Sequence, residues 1–210
     1  MNDRPLKGLL IVFEGTDGTG KSTQLQLLSQ HLQRLGYPVI TTREPTDGQY
    51  GQRIRQLYTN RENCSHQEEL ELFLADRREH VTGLITPALS QGKIILCDRY
   101  FLSTAAYQGA IGFDPENILR QNSFAPDPDI ALLFQASLAT GLSRITSGRG
   151  EKLNDFEQKD NLQKVASIFD SIDRPYIRRI DAEGTLEDVH HRVVQQVTPL
   201  LDNFPRGSKE

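Results

Sequence analysis

Apolar residues along this chain fall alternately into short continuous runs and into positions three or four apart. The sequence therefore predicts strands and helices taking turns from one end to the other. Leu9-Leu10-Ile11-Val12-Phe13 is a short buried run, and Leu25, Leu28, Leu32 and Leu35 follow at helical spacing. Gly36 is a natural helix stop, Val39-Ile40-Thr41-Thr42 reads as a second strand, and a polar turn is expected from Glu44 to Gly51. Ser65 and Glu68 have capping-box spacing ahead of a long helix with Leu70, Phe73, Leu74, Val81, Leu84 and Ile85 as its apolar positions, closed by Gly92. Ile94 to Cys97 is a third strand, running into Asp98-Arg99-Tyr100, and Ile130 to Phe134 a fourth, after the stop Pro126-Asp127-Pro128. Ile177 to Ile180 is a weaker last strand with Arg178 and Arg179 in its middle. A terminal helix from near Thr185 sets Leu186, Val189, Val193, Val197 and Leu200 on one side. Alternation of this kind predicts an α/β fold, a parallel five-stranded sheet with helices on both faces.

Composition narrows the class. A chain of 210 residues with 37% hydrophobic and 25% charged residues has material for one well-buried core, so a single domain over residues 1–210 is expected. A net charge of -4 argues against a basic face that tracks nucleic acid and favours small anions as partners. No apolar run approaches the roughly 18 residues that span a bilayer. The first residues lack a signal-peptide pattern, so the expected compartment is the cytoplasm. Cys64 and Cys97 read as free thiols, and the neighbours His190 and His191 lack the spacing that places two metal ligands on one helix face.

One segment carries definite chemistry. Gly15-Thr16-Asp17-Gly18-Thr19-Gly20-Lys21-Ser22 is a complete G-x-x-x-x-G-K-[ST] phosphate-binding loop, set between the first strand and the first helix. Its glycines let the backbone turn amides toward one point, where the helix N-terminus adds partial positive charge, so a polyphosphate can be held by main-chain donors. Lys21 is expected to reach the β- and γ-phosphates, the Ser22 hydroxyl to ligate Mg²⁺, and Thr23 to complete the ATP site. Asp98, at the end of an apolar strand, suits the second half of such a site, a carboxylate near the metal. Arg99 beside it suits a second anionic ligand, which points to an acceptor that is itself a phosphate. Residues 144–157, with Arg144, Arg149 and two glycines, lie between helical patterns; a segment at about 142–157 is the expected lid that closes over the transferred group.

Taken together and in order, these motifs resemble the thymidylate kinases, P-loop enzymes that phosphorylate dTMP from ATP. The resemblance spans about Gly8 to Leu201. Phe13-Glu14-Gly15 through Thr23 looks like the family's phosphate loop, and Asp17 is similar to the residue that approaches the sugar 3′-hydroxyl. Thr42-Arg43-Glu44-Pro45 matches the motif after the second strand, and Thr46-Asp47-Gly48-Gln49-Tyr50-Gly51 then replaces the family's glycine pair and threonine. Leu72 to Arg77 matches the helix on which an aromatic ring stacks on thymine and an arginine bonds its O4, roles that fall on Phe73 and Arg77. Asp98-Arg99-Tyr100 matches the family signature, with Arg99 at the acceptor-phosphate position. Thr104 falls at a base-contacting position, Tyr107 where the sugar 2′ side is crowded, and Gln108 continues the motif. Gly18 stands where some members carry a catalytic arginine, so the resemblance implies the bacterial type that uses lid arginines, here Arg144 and Arg149. It also implies the nucleoside monophosphate kinase fold, Mg²⁺ with ATP, and a homodimer. A kinase for another nucleoside monophosphate or a deoxynucleoside, and a nucleotide-hydrolysing P-loop switch, are the alternatives.

Overall fold

The computed structural model describes residues 8–60, 64–149, 159–202, 204 and 205. Five strands form one parallel sheet in the order β2-β3-β1-β4-β5: β1 (Leu9–Gly15), β2 (Val39–Arg43), β3 (Ile94–Asp98), β4 (Ile130–Gln135) and β5 (Ile177–Asp181). Alternate residues of the central strands feed two separate cores, as parallel strands covered on both faces must. Leu10 and Val12 of β1 face one core and Ile11 and Phe13 the other; Ile95 and Cys97 of β3 divide from Ile94 and Leu96 in the same way.

The helices supply the outer layers. Leu25, Leu28 and Leu32 of α1 (Lys21–Arg34) and Val189, Val193 and Val197 of α9 (Leu186–Leu201) share one core. On the other face lie α3 (His66–His80), α4 (Thr86–Ser90), α5 (Phe101–Ala110), α6 (Pro115–Gln121) and α8 (Lys159–Ser171), with α2 (Gln49–Leu57) against α3. The Ser65 and Glu68 capping box forms as the spacing predicts. Between α3 and α4 the expected long helix passes through a π-helical turn, Val81–Ile85, which keeps the chain continuous while shifting its facing residues.

Several expectations are corrected. Residues 44–51 are not turn throughout, because α2 begins at Gln49. Its signal is weak because only Gly51 and Ile54 are buried and no side chain caps it. Leu35 ends α1 at 41% exposure and Leu186 starts α9 at 47%, so neither joins the apolar stripe of its helix. The stretch from Arg144 begins as helix, since α7 (Leu138–Arg149) runs through it. Residues 150–157, half of the expected lid, lie outside the described residues. Strand β5 is an edge strand on which Arg178 and Arg179 stay exposed while Ile177 and Ile180 are buried, which reconciles its charge with its place in the sheet.

Register decides where the chemistry lies. Phe13 pairs with Asp98, and Arg43 also pairs with Asp98, so the ends of β1, β2 and β3 finish at one level. In open parallel sheets, ligands bind in the crevice beyond those carboxyl ends.

Candidate active site at the carboxyl ends of the strands

The phosphate loop joins β1 to α1. Gly20 is the N-cap of α1 with φ 88°, and no side chain caps that end, so the first amides of the helix remain for a ligand. Gly18 has φ 77°, and a Cβ there would lie 2.2 Å from the carbonyl oxygen of Gly141 in α7. Any side chain at position 18 therefore displaces the start of α7, so there is no room for an arginine at that position. Thr19 Oγ1 donates to Thr16 O at 2.8 Å and folds the loop on itself. Lys21 is only 5% exposed and its Nζ donates to Thr16 O at 2.7 Å. Burial, reinforced by the positive charge of Arg99, lowers the Lys21 pKa to about 8. Ser22 Oγ donates to Asp98 Oδ2, bringing the two expected metal-side oxygens together. A cavity of about 270 Å³ runs from Asp17, Gly18 and Lys21 past Ser22 to Asp98 and Arg99. A larger one of about 650 Å³ continues toward Leu25, Arg43, Asp47 and His80.

Arg99 stands opposite the loop. It has φ 69°, uncommon for a residue with a side chain, and its guanidinium is held on several sides. Nη2 donates to Asp17 Oδ1 at 2.7 Å and Tyr107 Oη at 3.3 Å; Nη1 donates to Ser103 Oγ at 3.0 Å. Burial opposes its charge, but Tyr107, Asp17, Asp98 and Glu14 hold it firmly cationic. Tyr107 Oη also donates to Asp17 Oδ2 at 3.0 Å, and burial pushes the phenol pKa up. Asp17, Arg99 and Tyr107 thus form one cluster.

Arg77 is 1% exposed and anchors a second cluster. Its Nε donates to Glu44 Oε2 at 2.9 Å, Nη2 donates to Glu44 and to Thr104 Oγ1 at 2.9 Å, and Nη1 donates to Asn122 Oδ1 at 2.6 Å. Four of its five N–H groups are spent among the described residues, leaving one on Nη1. His80 Nδ1 lies 2.9 Å from the other Glu44 oxygen and its Nε2 2.7 Å from Thr42 Oγ1. Burial alone would raise the Glu44 pKa, yet Arg77 and His80 hold the carboxyl below the usual range. Phe73 sits one helical turn before Arg77, half-buried. Gln108, one turn after Thr104 on α5, is 1% exposed, and neither its Oε1 nor its Nε2 has a hydrogen-bond partner among the described residues. Buried amides are seldom left so.

The remaining sequence-predicted residues are less central. Arg43 is exposed and its Nη2 donates to Asp47 at 2.7 Å, an acid that Arg55 also pairs at 3.0 Å. Arg144 donates to Ala182 O at 3.0 Å, which ties α7 to the turn after β5. Arg149 is the last residue of α7, and its side chain lies outside the described residues. Sequence reasoning missed the buried partners that orient these groups. Glu44 and Asn122 hold Arg77, and His80 holds Glu44 in turn; Asp76 takes the N–H of Thr46 at 2.9 Å and its hydroxyl at 2.6 Å. Glu44, Asp76, His80 and Asn122 all stand in polar stretches of the sequence, which give no local signal of their burial.

Comparison with known proteins gives matches over most of the chain. The family model described as thymidylate kinase matches residues 13–193. A thymidylate kinase of Desulfotalea psychrophila is 58% identical over 201 residues, covering 96% of this chain and 98% of the relative. Thymidylate kinases of Xanthomonas campestris pv. campestris strain B100 and of Xanthomonas euvesicatoria pv. vesicatoria are each 44% identical, over 205 and 183 residues. They cover 96% and 87% of this chain, and 88% and 80% of their own lengths. On a match that spans most of the sequence, the chain belongs to the thymidylate kinase family.

Proposed function

We propose how the residues of this site divide the dTMP kinase activity that the family carries, in which the γ-phosphoryl group of ATP passes to dTMP to give dTDP and ADP. ATP lies over the phosphate loop, from Gly15 to Thr23, with its phosphates on the amides at the start of α1 and on Lys21. Ser22 and Asp98 offer hard oxygens suited to Mg²⁺, and no group of three His, Cys, Asp or Glu among the described residues forms a metal cage of its own. When bound, Mg²⁺ neutralises charge on the phosphates. Arg99 takes the acceptor phosphate, Asp17 meets the sugar 3′-hydroxyl, and Tyr107 packs against the 2′ side. Arg43 borders the acceptor side, and Arg144 and Arg149 contribute positive charge from the lid at about 142–157. The chain acts as one domain, and a cytoplasmic homodimer is proposed with it on the family resemblance.

The observation that carries this reading is the buried, unpartnered amide of Gln108 beside the Arg77 and Thr104 pair. A thymine edge presents an acceptor at O4 and a donor at N3. The unspent Nη1 proton of Arg77 suits O4, Gln108 Oε1 suits the N3 proton, and Phe73 offers a stacking face. Arg77 can only donate, so a 4-amino pyrimidine meets a donor with a donor. Calorimetric titration tests this. dTMP should bind at least about tenfold more tightly than dCMP, on the scale that one unpaired buried group costs. Equal affinities would mean that the pocket does not read the base.

A further inference from the structure

Glu14 is a fully buried acid at the end of β1, and it forms no ion pair among the described residues. Burial raises its pKa, and two hydrogen bonds hold its oxygens in place. Glu14 Oε1 accepts the backbone N–H of Tyr100 at 2.9 Å, and Oε2 accepts the hydroxyl of Ser103. Both partners flank one unusual residue. Arg99 stands between strand β3 and helix α5 with φ 69°, and its own N–H donates to Phe13 O at 2.9 Å, next to Glu14 in sequence. The Tyr100 bond therefore closes the turn immediately after Arg99 adopts its left-handed backbone.

The Ser103 bond reaches the guanidinium itself. Ser103 Oγ donates to Glu14 Oε2, and its lone pair is then directed to Arg99 Nη1, which donates to it at 3.0 Å. Asp17 and Tyr107 hold the opposite Nη2. We propose that Glu14 is a positioning residue of the acceptor site, which fixes the left-handed turn at Arg99 through Tyr100 N–H and aims its guanidinium through Ser103 Oγ. The proposal rests on the reading of Arg99 as the group that takes the acceptor phosphate. It assigns a task to a fully buried acid that the loop motif leaves unexplained.

Glu14→Gln tests it with little change of shape. The amide has one acceptor where two donors converge, so its NH₂ group faces either Tyr100 N–H or a Ser103 hydroxyl that must reverse. Ser103→Ala cuts the link to Arg99 and leaves Glu14 its backbone bond; Ser103→Thr retains the hydroxyl. Steady-state kinetics are run with dTMP and ATP varied separately, and thermal unfolding is followed for each variant. Glu14→Gln and Ser103→Ala should raise the KM for dTMP by about tenfold, the scale known for groups that orient another ligand, with the KM for ATP unchanged and Ser103→Thr near wild type. Unchanged dTMP kinetics in both loss variants, or parallel rises for the two substrates, would overturn the proposal and leave Glu14 a packing residue. If Glu14→Gln does not fold, the contrast between Ser103→Ala and Ser103→Thr decides alone. Failure of the underlying reading looks different: the wild-type chain itself would show no turnover that depends on dTMP.

Discussion

Arg77 and Glu44, 33 positions apart in the chain, form a buried ion pair in which one carboxylate oxygen accepts from both Nε and Nη2 of the guanidinium. The pair ties α3 to the turn after β2, and together with the bonds to Thr104 and Asn122 it leaves the guanidinium one N–H to spend on a ligand. Buried pairs of this kind contribute little net stability over apolar packing, yet breaking one leaves a charge without a partner. Glu44→Gln is expected to destabilise the fold by about 3–5 kcal/mol, measured by urea denaturation. The sign of its pH dependence follows from the lowered pKa. A carboxyl held below the usual range contributes its stability above the unfolded value and loses it as pH falls through the folded one. Acid should therefore erode wild-type stability more steeply than that of Glu44→Gln.

Lys21 carries the opposite perturbation. In the ligand-free site its ammonium titrates near 8, so it is partly neutral just above physiological pH. Triphosphate binding favours the charged form, which predicts proton uptake on binding ATP and an affinity that weakens as pH rises above about 8. Calorimetry in buffers of different ionisation enthalpy measures that uptake directly. Lys21→Ala should lose transfer by about 10³ or more, comparable to removal of an arginine finger, and its ATP binding should become flat with pH over the same range.

Much of the fold is legible in the sequence because its signals are local. The runs at β1, β3 and β4, the stop at Gly36 and the capping box at Ser65 each depend on a few neighbouring residues. Helix α2 is illegible for the opposite reason: it is held by contact with α3 and by the burial of Ile54, not by its own pattern. The site divides the same way. The phosphate loop and Asp98-Arg99 stand out in the chain, whereas the supports of Arg77 come from positions 44, 80 and 122. Spacing cannot reveal a network assembled from a strand end and two helices. Glu14 and Gln108 sit inside motifs, but only their burial and hydrogen bonding separate a held acid from an amide left without a partner among the described residues.

For the lid, the expectation concerns timing. An arginine that meets the transferring phosphate on closure acts mainly in the transition state, so Arg149→Ala should lower kcat while leaving ATP affinity nearly intact. An unchanged kcat at saturating substrates would assign residue 149 to the solvated surface of α7.

Tyr107 gives a test of sugar selection. Its hydroxyl is engaged by Asp17 and Arg99, which fixes the ring where the resemblance sets the 2′ carbon of the acceptor sugar. Tyr107→Ala should lose activity on dTMP more than on its ribose counterpart, so the ratio of the two kcat/KM values should fall. A ratio that stays constant in a folded variant would show that the side chain packs without selecting.

The two clusters, at Lys21 and at Arg99 with Arg77, are proposed to serve one transfer from ATP to a thymine nucleotide. ADP release in a coupled assay with Mg²⁺ and ATP, run without acceptor and then with dTMP, dCMP, dGMP and dAMP in turn, tests that joint role. Rapid release is expected with dTMP, and only a slow background in its absence or with the other three. Release that proceeds equally without any acceptor, or that is faster with dCMP, dGMP or dAMP than with dTMP, would contradict it.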